Sequence, residues 1–454
     1  IKYVLILVLS TLAKKHLIFS YPRSFSIHLH CLLLVGILCA GQPSRSFSQT
    51  TQTVSSLAAF KLAIESAQAG DRILIANGSY QNWQVTLDCA GTFEKPITIE
   101  PENEQGVSFS GTTHFRISGE HLKISGFVFE NCQFQKDLLE FKSASHCQIR
   151  QCIIRNSGGD KAAIAIKPGA SNNLITECTF INLAARSINL TVNEDIQTLG
   201  IPVNNVIRKN LFRDIPAKGE NGRETIKIGQ NQPENGHIRT MTRVEENTFI
   251  RCNGEGEIIS NKCAGNIYRN NTFQDCDGEL VMRGGRDCLI EGNKLFNCKG
   301  GIRLSGTGHT VKDNWIINSR TTGIRLLYGM TSEQGGHYQA PSGCLITQNT
   351  IVNPAEAGIR IGDGRNKDWG IEKGVQSIAP NNNRFVRNII TGNQGDLLTH
   401  NHAPDNAIRN NLYHLRGKAI VSFPGEDAIY EDPLFSNPTQ EDFRLTENSP
   451  MFKK

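Results

Sequence analysis

Two carboxylates and a lysine stand close together in the middle of the chain. Glu255 and Glu257 occur in the stretch GEGEIISNKC (254–263), and Lys262 follows them. Residues two apart on a strand point to the same side, so both carboxylates would share one face. Carboxylates that share a site either share a proton or bind a metal, and hard oxygen ligands suit Ca²⁺. The upstream segment ENGRETIKIG offers two further oxygen ligands, Asn221 and Glu224.

Basic residues recur at nearly regular intervals around Lys262. Arg283 in ELVMRGG follows Lys262 after 21 residues, and Arg303 in GGIRLSG follows after a further 20. Related segments on either side carry Lys227 (ETIKIG), Arg325 (TGIRLLYG) and Arg360 (AGIRIGDG). Because the spacing and the local sequence both repeat, we interpret these cations as one position in a repeating structural unit.

A longer sequence repeat explains this spacing. Its form is an apolar residue, two variable residues, a small or amide residue, one variable residue and a second apolar residue, as in ITECTF (175–180) and VEENTF (244–249). A step of about 21 to 26 residues with longer insertions fits the coils of a solenoid. Period-two segments rich in β-branched residues favour an all-β fold, a single right-handed parallel β-helix. The fourth position is occupied by asparagines that we expect to form an internal ladder, namely Asn210, Asn247, Asn271, Asn293, Asn314, Asn349 and Asn388.

The remaining segments fit one solenoid domain over residues 49–454. Residues 55–70 have helical spacing and are expected to cap the N-terminal end, before DRILIANGSY (71–80) opens the first coil. Insertions such as 190–204 and 328–343 are expected to leave the coils as loops that shape the ends of a groove. A cap is needed because the terminal coil would otherwise expose a sheet edge.

The first 48 residues are typical of a targeting segment. A basic lead precedes the apolar run CLLLVGILCA (31–40) and the small residues of GQPSRSFSQT, which predicts an exported protein, secreted or periplasmic. A lipid anchor at Cys39 is disfavoured because the bulky Leu38 precedes it. An earlier apolar run, VLILVLSTLA (4–13), precedes the run at 31–40, and neither run reaches the ~20 residues of a membrane span. The cysteines that follow are scattered without a metal-type pair, so we expect them to be buried and apolar in role.

Charge composition narrows the class of ligand. The net charge is +5, but the first 50 residues hold five basic residues and no acid, which leaves 43 basic and 43 acidic residues in the rest of the chain. Stacked coils lie about 4.8 Å apart, so the repeated cations would form a column, which is unfavourable unless an anion lies along it. An elongated polyuronate fits such a column. Nucleic acid does not, because aromatic platforms and dense lysine runs are missing.

The motifs GEGEIISNKC, GELVMRGG and GGIRLSGTGH, with NGRETIKIG upstream, resemble the signature set of the family-six polysaccharide lyases. That family includes alginate lyases and a chondroitinase that acts on dermatan sulfate, and the resemblance spans roughly residues 70–440. It implies a parallel β-helix that cleaves uronate polymers by β-elimination. One position differs from the family pattern: Gly284 follows the arginine where histidine is common.

The resemblance also implies roles for individual residues. Lys262 matches the catalytic base and Arg283 the catalytic arginine, while Asn221, Glu255 and Glu257 match calcium ligands, with Glu224 added from the sequence itself. Alginate is the expected substrate and dermatan sulfate the second. The expected substrate contacts are Lys227, Arg303, Arg325, Arg360 and His309, with Tyr328 and His337 as further candidates.

Two other classes of function remain open at this stage. A β-helical glycoside hydrolase would need a pair of catalytic carboxylates, for which Asp275, Asp277 and Asp313 are available, although no obvious constellation joins them. A non-catalytic carbohydrate-binding solenoid would use the same cation column without cleaving the chain.

Overall fold

The protein is described from a computed structural model, which covers residues 49–219, 221–230, 233–330, 338–370 and 374–452. The expected targeting segment 1–48 lies outside these residues, as does His337. From residue 49 onward the chain winds into coils of short parallel strands, and strands of successive coils stack into three faces. The all-β parallel β-helix predicted from the repeat is confirmed.

The first face is a sheet of 14 parallel strands. Its strands, in order, are Thr51–Val54, Arg72–Ile75, Ile97–Pro101, Leu122–Ser125, Gln148–Arg150, Leu174–Thr176, Val206–Arg208, Arg243–Glu245, Ile267–Arg269, Leu289–Glu291, Thr310–Lys312, Leu345–Thr347, Arg384–Val386 and Ala407–Arg409.

The second and third faces are joined into one 23-stranded sheet by two long strands, Ile153–Ile166 and Thr179–Leu190, each of which pairs on both faces. The second face also contains Gly78–Gln81, Val107–Gly111, Val128–Cys132, Leu211–Ile215, Thr248–Cys252, Thr272–Gln274, Lys294–Phe296, Trp315–Ile317, Thr350–Val352, Ile389–Gly392 and Leu412–Leu415. The third face also contains Gln84–Leu87, His114–Ile117, Leu139–Phe141, Ile226–Ile228, Glu257–Asn261, Glu279–Met282, Ile302–Leu304, Thr322–Leu327, Ala357–Asp363 and Asp396–His400.

Smaller elements lie outside the coils. Two antiparallel pairs join Gly329–Met330 to Gln376–Ile378 and Phe435–Asn437 to Asp442–Leu445. The helices are Leu57–Ser66 and Ile196–Leu199, and three 3₁₀ turns are Pro233–His237, Pro438–Gln440 and Pro450–Phe452. The short second helix lies within the predicted 190–204 insertion. Among the described residues no helix has the length and apolar character to cross a membrane.

The interior is filled by apolar side chains at alternate strand positions. In Ile302–Leu304, for example, Ile302 and Leu304 are fully buried while Arg303 between them points to the groove. The rings of Phe180, Phe212, Phe249 and Phe273 stack up the axis with centroids 4.6, 4.8 and 4.6 Å apart. Identical side chains therefore stack from coil to coil, which fixes the register because a one-residue slip would turn the buried face outward.

The predicted asparagine ladder is confirmed. Each side-chain amide from Asn210 to Asn388 donates to the side-chain oxygen of the next ladder asparagine at 2.9 to 3.0 Å, and the ladder ends at Asn411. The same amides also donate to buried backbone carbonyls of the preceding coil, as Asn271 does to Val244 O at 2.9 Å. The ladder thus satisfies backbone groups at the bend between faces, which would be costly to bury unpaired.

The N-terminal end is closed by the helix Leu57–Ser66, as predicted. Ser56 caps it by accepting a hydrogen bond from Ala59 N at 3.2 Å, and Phe60 stacks on Trp83 with centroids 5.5 Å apart. The sequence interpretation was wrong about the first strand. Thr51–Val54 precedes the helix and pairs with Arg72–Ile75, so the coil begins before residue 71.

The described cysteines behave as small apolar residues. All eleven are free thiols, and all except Cys89 are buried. Cys178 and Cys252, for example, are 1% and 0% exposed within the core. The expectation of buried cysteines with an apolar role is confirmed for all of them except Cys89.

Candidate active site

The candidate site lies on the third face, where Glu257–Asn261 pairs with Ile226–Ile228 on one side and with Glu279–Met282 on the other. The cations divide into two registers. Lys227 aligns with Ser260, then Val281, Arg303, Arg325 and Arg360 in successive coils. Lys262 and Arg283 form the second register. Each lies just after the end of its strand, two residues beyond the position that aligns with Lys227. The single predicted column is therefore wrong, because the arginine comes after Met282 in one strand but before Leu304 in the next.

Three carboxylates converge beside Lys262. One oxygen each of Glu224, Glu255 and Glu257 lie within 4.8 Å of one another. Glu255 accepts hydrogen bonds from the backbone N–H groups of Gly222 and Arg223. Burial raises the pKa of Glu255, and the negative charge of Glu224 adds to this effect. Glu255 is therefore a buried carboxylate that lies beside like charge from Glu224.

Glu257 is the buried anion that most of the cations share. It forms ion pairs with Arg303 and Arg283, the latter with Nη1 at 3.5 Å, and it accepts a hydrogen bond from Ser260. Burial opposes its ionisation, but the positive charges of Arg303, Arg283 and Lys262 outweigh burial and hold its pKa at about 2. Glu257 is therefore a permanent carboxylate at the centre of the site.

Lys262 is almost enclosed, with 4% of its side chain exposed. Its Nζ donates to Ser260 Oγ at 2.7 Å and lies 3.6 Å from Glu224 Oε1. Burial lowers the pKa of Lys262 to about 8, although the charges of Glu257 and Glu224 act in the opposite direction. Because the pKa is lowered, a fraction of the amine is neutral near neutral pH, which a base requires.

Arg283 stands one coil from Lys262 and is held partly through the main chain. Its backbone N–H donates to Asn261 O at 2.9 Å. Its guanidinium lies 5.1 Å from the ring centroid of Tyr338. A Cβ atom added to Gly284 would meet no described atom within 4 Å, so the position that departs from the family pattern is open space.

Arg303, Arg325 and Arg360 line a groove of about 320 Å³ on the same face, together with Lys299 and Glu356. The buried carboxylate of Glu279 supports two of these arginines, with its oxygens 2.8 Å from Arg325 Nε and 3.7 Å from Arg303 Nη1. Asp363 pairs with Arg325 at 2.6 Å and with Arg360 at 3.6 Å. The protein's own acids therefore relieve much of the repulsion that the sequence suggested an external anion must relieve.

The predicted substrate contact at His309 is wrong. His309 is 0% exposed, its Nδ1 accepts from Cys288 N at 3.2 Å, and its Nε2 donates to Ser305 O at 3.1 Å. Other coils place asparagine at this bend, as when Asn383 accepts from Cys344 N at 2.9 Å. His309 is thus a member of a second internal ladder rather than a groove residue.

The other predicted site residues lie in different surroundings: one is exposed, one lies in the groove register and one is buried. Asn221 is exposed and adjoins the carboxylate cluster through Gly222. Lys227 lies in the groove register, and burial lowers its pKa. Tyr328 is buried and donates to Asn401 O at 2.9 Å, so it does not line the groove as proposed.

Sequence reasoning missed several residues of the site. Ser260 links Lys262 to Glu257, and Arg186 pairs with Glu224 at 2.7 Å. No role in the site was predicted from the sequence for Glu279 or for Tyr338. Ser260 lies inside the quoted motif and shares the strand face of Lys262, which was a signal available in the sequence. No repeat marks Arg186 or Tyr338.

Fold and site together define a parallel β-helix with a charged groove across one face. The model of the chondroitinase B family matches residues 54–426. The chain belongs to this family and is an enzyme, a polysaccharide lyase of family 6.

Relatives with solved structures extend over most of the chain. A mannuronic acid specific family 6 polysaccharide lyase from human gut microbiota is 26% identical, with a TM-score of 0.75, covering 87% of this chain and 93% of that chain. The family 6 alginate lyase AlyGC is 25% identical, also with a TM-score of 0.75, covering 88% of this chain and 57% of that chain. YwoF, an uncharacterized protein of Bacillus subtilis strain 168, is 25% identical over 439 residues, 86% of each chain.

Proposed function

We propose that this lyase cleaves alginate by β-elimination, with Lys262 as base and Arg283 as the group that stabilises developing charge. The observation that carries the proposal is the meeting of Lys262 and Arg283 at the buried carboxylate of Glu257, beside a groove lined by arginines. Two relatives support the choice of polymer, one named as mannuronic acid specific and one as an alginate lyase.

The reaction removes the C5 proton of a uronate and breaks the C4–O bond to the next sugar. Lys262 Nζ takes the proton, the C5–H electron pair becomes the C4=C5 double bond, and the C4–O electron pair leaves with the oxygen, which accepts a proton from water. The hydroxide that remains is neutralised by the proton that Lys262 then releases, which restores the base. The guanidinium of Arg283 stabilises the negative charge that builds on the substrate carboxylate in the transition state. Ser260 keeps the lysine amine oriented in the groove floor.

The carboxylate cluster fits a calcium ion. Its donors are carboxylate oxygens that lie within 4.8 Å of one another, and a bound cation would offset the repulsion between Glu255 and Glu224. Asn221, Glu224, Glu255 and Glu257 would hold the ion. Bound there, Ca²⁺ would neutralise the substrate carboxylate and so make the neighbouring C5 proton more acidic.

Arg303, Arg325 and Arg360 are proposed to bind successive carboxylates of the polymer, and Lys227 to bind on the other side of Lys262. Guanidinium groups suit this role because they pair with carboxylates in two-point contacts. Attack on such a polymer would take place outside the cytoplasm, in agreement with the export expected of segment 1–48.

Dermatan sulfate is the second candidate substrate. The description of the matching family as chondroitinase B favours it. The same Lys262 and Arg283 would act on its uronate, so the two candidates differ in substrate contacts and not in chemistry.

The test is the ultraviolet absorbance of unsaturated uronate ends, measured with alginate and separately with dermatan sulfate, in Ca²⁺ and after chelation. We expect absorbance to rise with alginate and to fall at least tenfold in rate after chelation. Ca²⁺ is also expected to raise the melting temperature of the wild type but not of Glu255→Gln. A rise with dermatan sulfate alone would show that dermatan sulfate, and not alginate, is the substrate. No rise with either polymer would overturn the proposed reaction.

A further inference from the structure

Tyr338 covers the guanidinium groups of two arginines at once. The centroid of its ring lies 5.1 Å from Cζ of Arg283 and 5.8 Å from Cζ of Arg303. Both distances are within the reach of a cation–π contact. Tyr338 is a buried residue, with 8% of its surface exposed.

The two guanidiniums do not use all of their N–H donors in hydrogen bonds. Contact with the ring therefore matters more for holding them in place. Arg283 Nε and Arg303 Nε are buried and have no hydrogen-bond partner among the described residues. Both guanidiniums converge on one carboxylate, Glu257, so they also repel each other. The electron-rich face of an aromatic ring attracts both cations and opposes this repulsion.

The ring itself is anchored away from the groove. Tyr338 O accepts a hydrogen bond from Met330 N at 2.8 Å, and the side chain packs with Leu327 and Met330. Met330 is in turn paired with Gln376 in the small antiparallel sheet. The ring of Trp369 lies 6.2 Å from that of Tyr338. The ring is therefore held by its contacts with Leu327 and Met330 and by the neighbouring ring of Trp369.

We propose that Tyr338 is a positioning residue that fixes Arg283 and Arg303 in the groove through one shared aromatic face. This inference rests on the proposed function, because Arg283 must act on the substrate for its position to affect turnover. Neither the sequence repeat nor the family motifs point to Tyr338.

The experiment is a graded substitution of the ring in the full chain. Tyr338→Phe keeps the aromatic face and should retain kcat within about twofold, whereas Tyr338→Leu should lower kcat between about twofold and thirtyfold, the range for a cation–π contact. Phenylalanines with one, two and three ring fluorines at position 338 keep the shape while withdrawing electron density. We expect kcat to fall stepwise along this series with KM changed less than about twofold.

Trp369→Leu is the matched control, because its ring neighbours that of Tyr338 but contacts Lys367 rather than the two arginines. It should lower kcat less than Tyr338→Leu does. A flat response to fluorination, or an equal loss in Trp369→Leu, would overturn the positioning role. Melting temperatures are measured across the fluorinated series, so a variant that fails to fold is recognised. A wild type without activity on any polyuronate would instead refute the proposed function, which separates the two failures.

Discussion

Glu257 shows how one residue can organise a site. Arg283 and Arg303 pair with it directly, and Lys262 is connected to it through Ser260. A buried carboxylate with several cations stays ionised, and the same cations then hold fixed positions. The sequence pointed to Glu257 as a calcium ligand, but the pairing with Arg303 depends on coil stacking and was not visible in the local motif.

Burial of His309 makes stability depend on pH. Burial lowers its pKa to about 4, below the value of about 6.5 expected in the unfolded chain. Between these values the unfolded state binds a proton that the folded state does not, so stability is lost as pH falls from about 6.5 to about 4. The full loss is about 3 to 4 kcal/mol.

His309→Asn should remove most of this loss, because asparagine can accept from Cys288 N and donate to Ser305 O as ladder residues do elsewhere. The measurement is the free energy of unfolding at pH 7 and pH 4.5. His402→Gln, a change at an exposed histidine, is the control and should leave the pH dependence unaltered. An unchanged dependence in His309→Asn would show that other groups govern acid sensitivity.

At the scale of elements, two ladders five residues apart hold each bend. Asn314 belongs to the first and His309 to the second, and the pair Asn383 and Asn388 has the same spacing. The first ladder was predictable because asparagine repeats at one position. The second was missed because its members vary between asparagine, threonine, cysteine and histidine.

Breaking the first ladder should destabilise the coil stack. Asn271 donates to Val244 O and to Asn293, and it accepts from the backbone and side chain of Asn247. Asn271→Ala leaves these buried groups unpaired, so we expect a loss of about 2 to 4 kcal/mol in unfolding free energy. Gln274→Ala, an exposed change in the same coil, should cost less than about 0.5 kcal/mol. Equal melting temperatures for the two variants would contradict a structural role for the ladder.

Strand register was the other feature that the sequence did not resolve. Arg283 and Arg303 are 20 residues apart, close to one coil, yet they differ by two strand positions. Spacing alone could not reveal this, because coil lengths vary by a few residues at the bends. Side chains two apart still share a face, so the groove contains both registers.

At the scale of the whole molecule, repetition made the fold predictable. Each coil buries its apolar residues only against neighbouring coils, so the same pattern must recur in sequence. Contacts between distant segments carry no such repeat. The approach of Tyr338 to Arg283 joins residues that are 55 apart in the numbering, and only the folded chain brings them together.

Thiol chemistry tests the state of the core. Without residues 1–48, the denatured chain should show eleven reactive thiols in the absence of reductant. The folded chain should show at most one, because only Cys89 is partly accessible. Its melting temperature should be unchanged by reductant. Fewer than eleven thiols in the denatured protein would mean that some cysteines are paired.

The most direct test of the central claim compares wild type with Lys262→Met on alginate, following ultraviolet absorbance of unsaturated ends. Methionine has a similar length and suits a buried position, so the variant should fold, as judged by its melting temperature. We expect the wild type to generate absorbance and Lys262→Met to lose at least about a hundredfold in rate, because general base catalysis contributes about 10² to 10⁴. Undiminished absorbance in Lys262→Met would contradict the assignment of this lysine as the base.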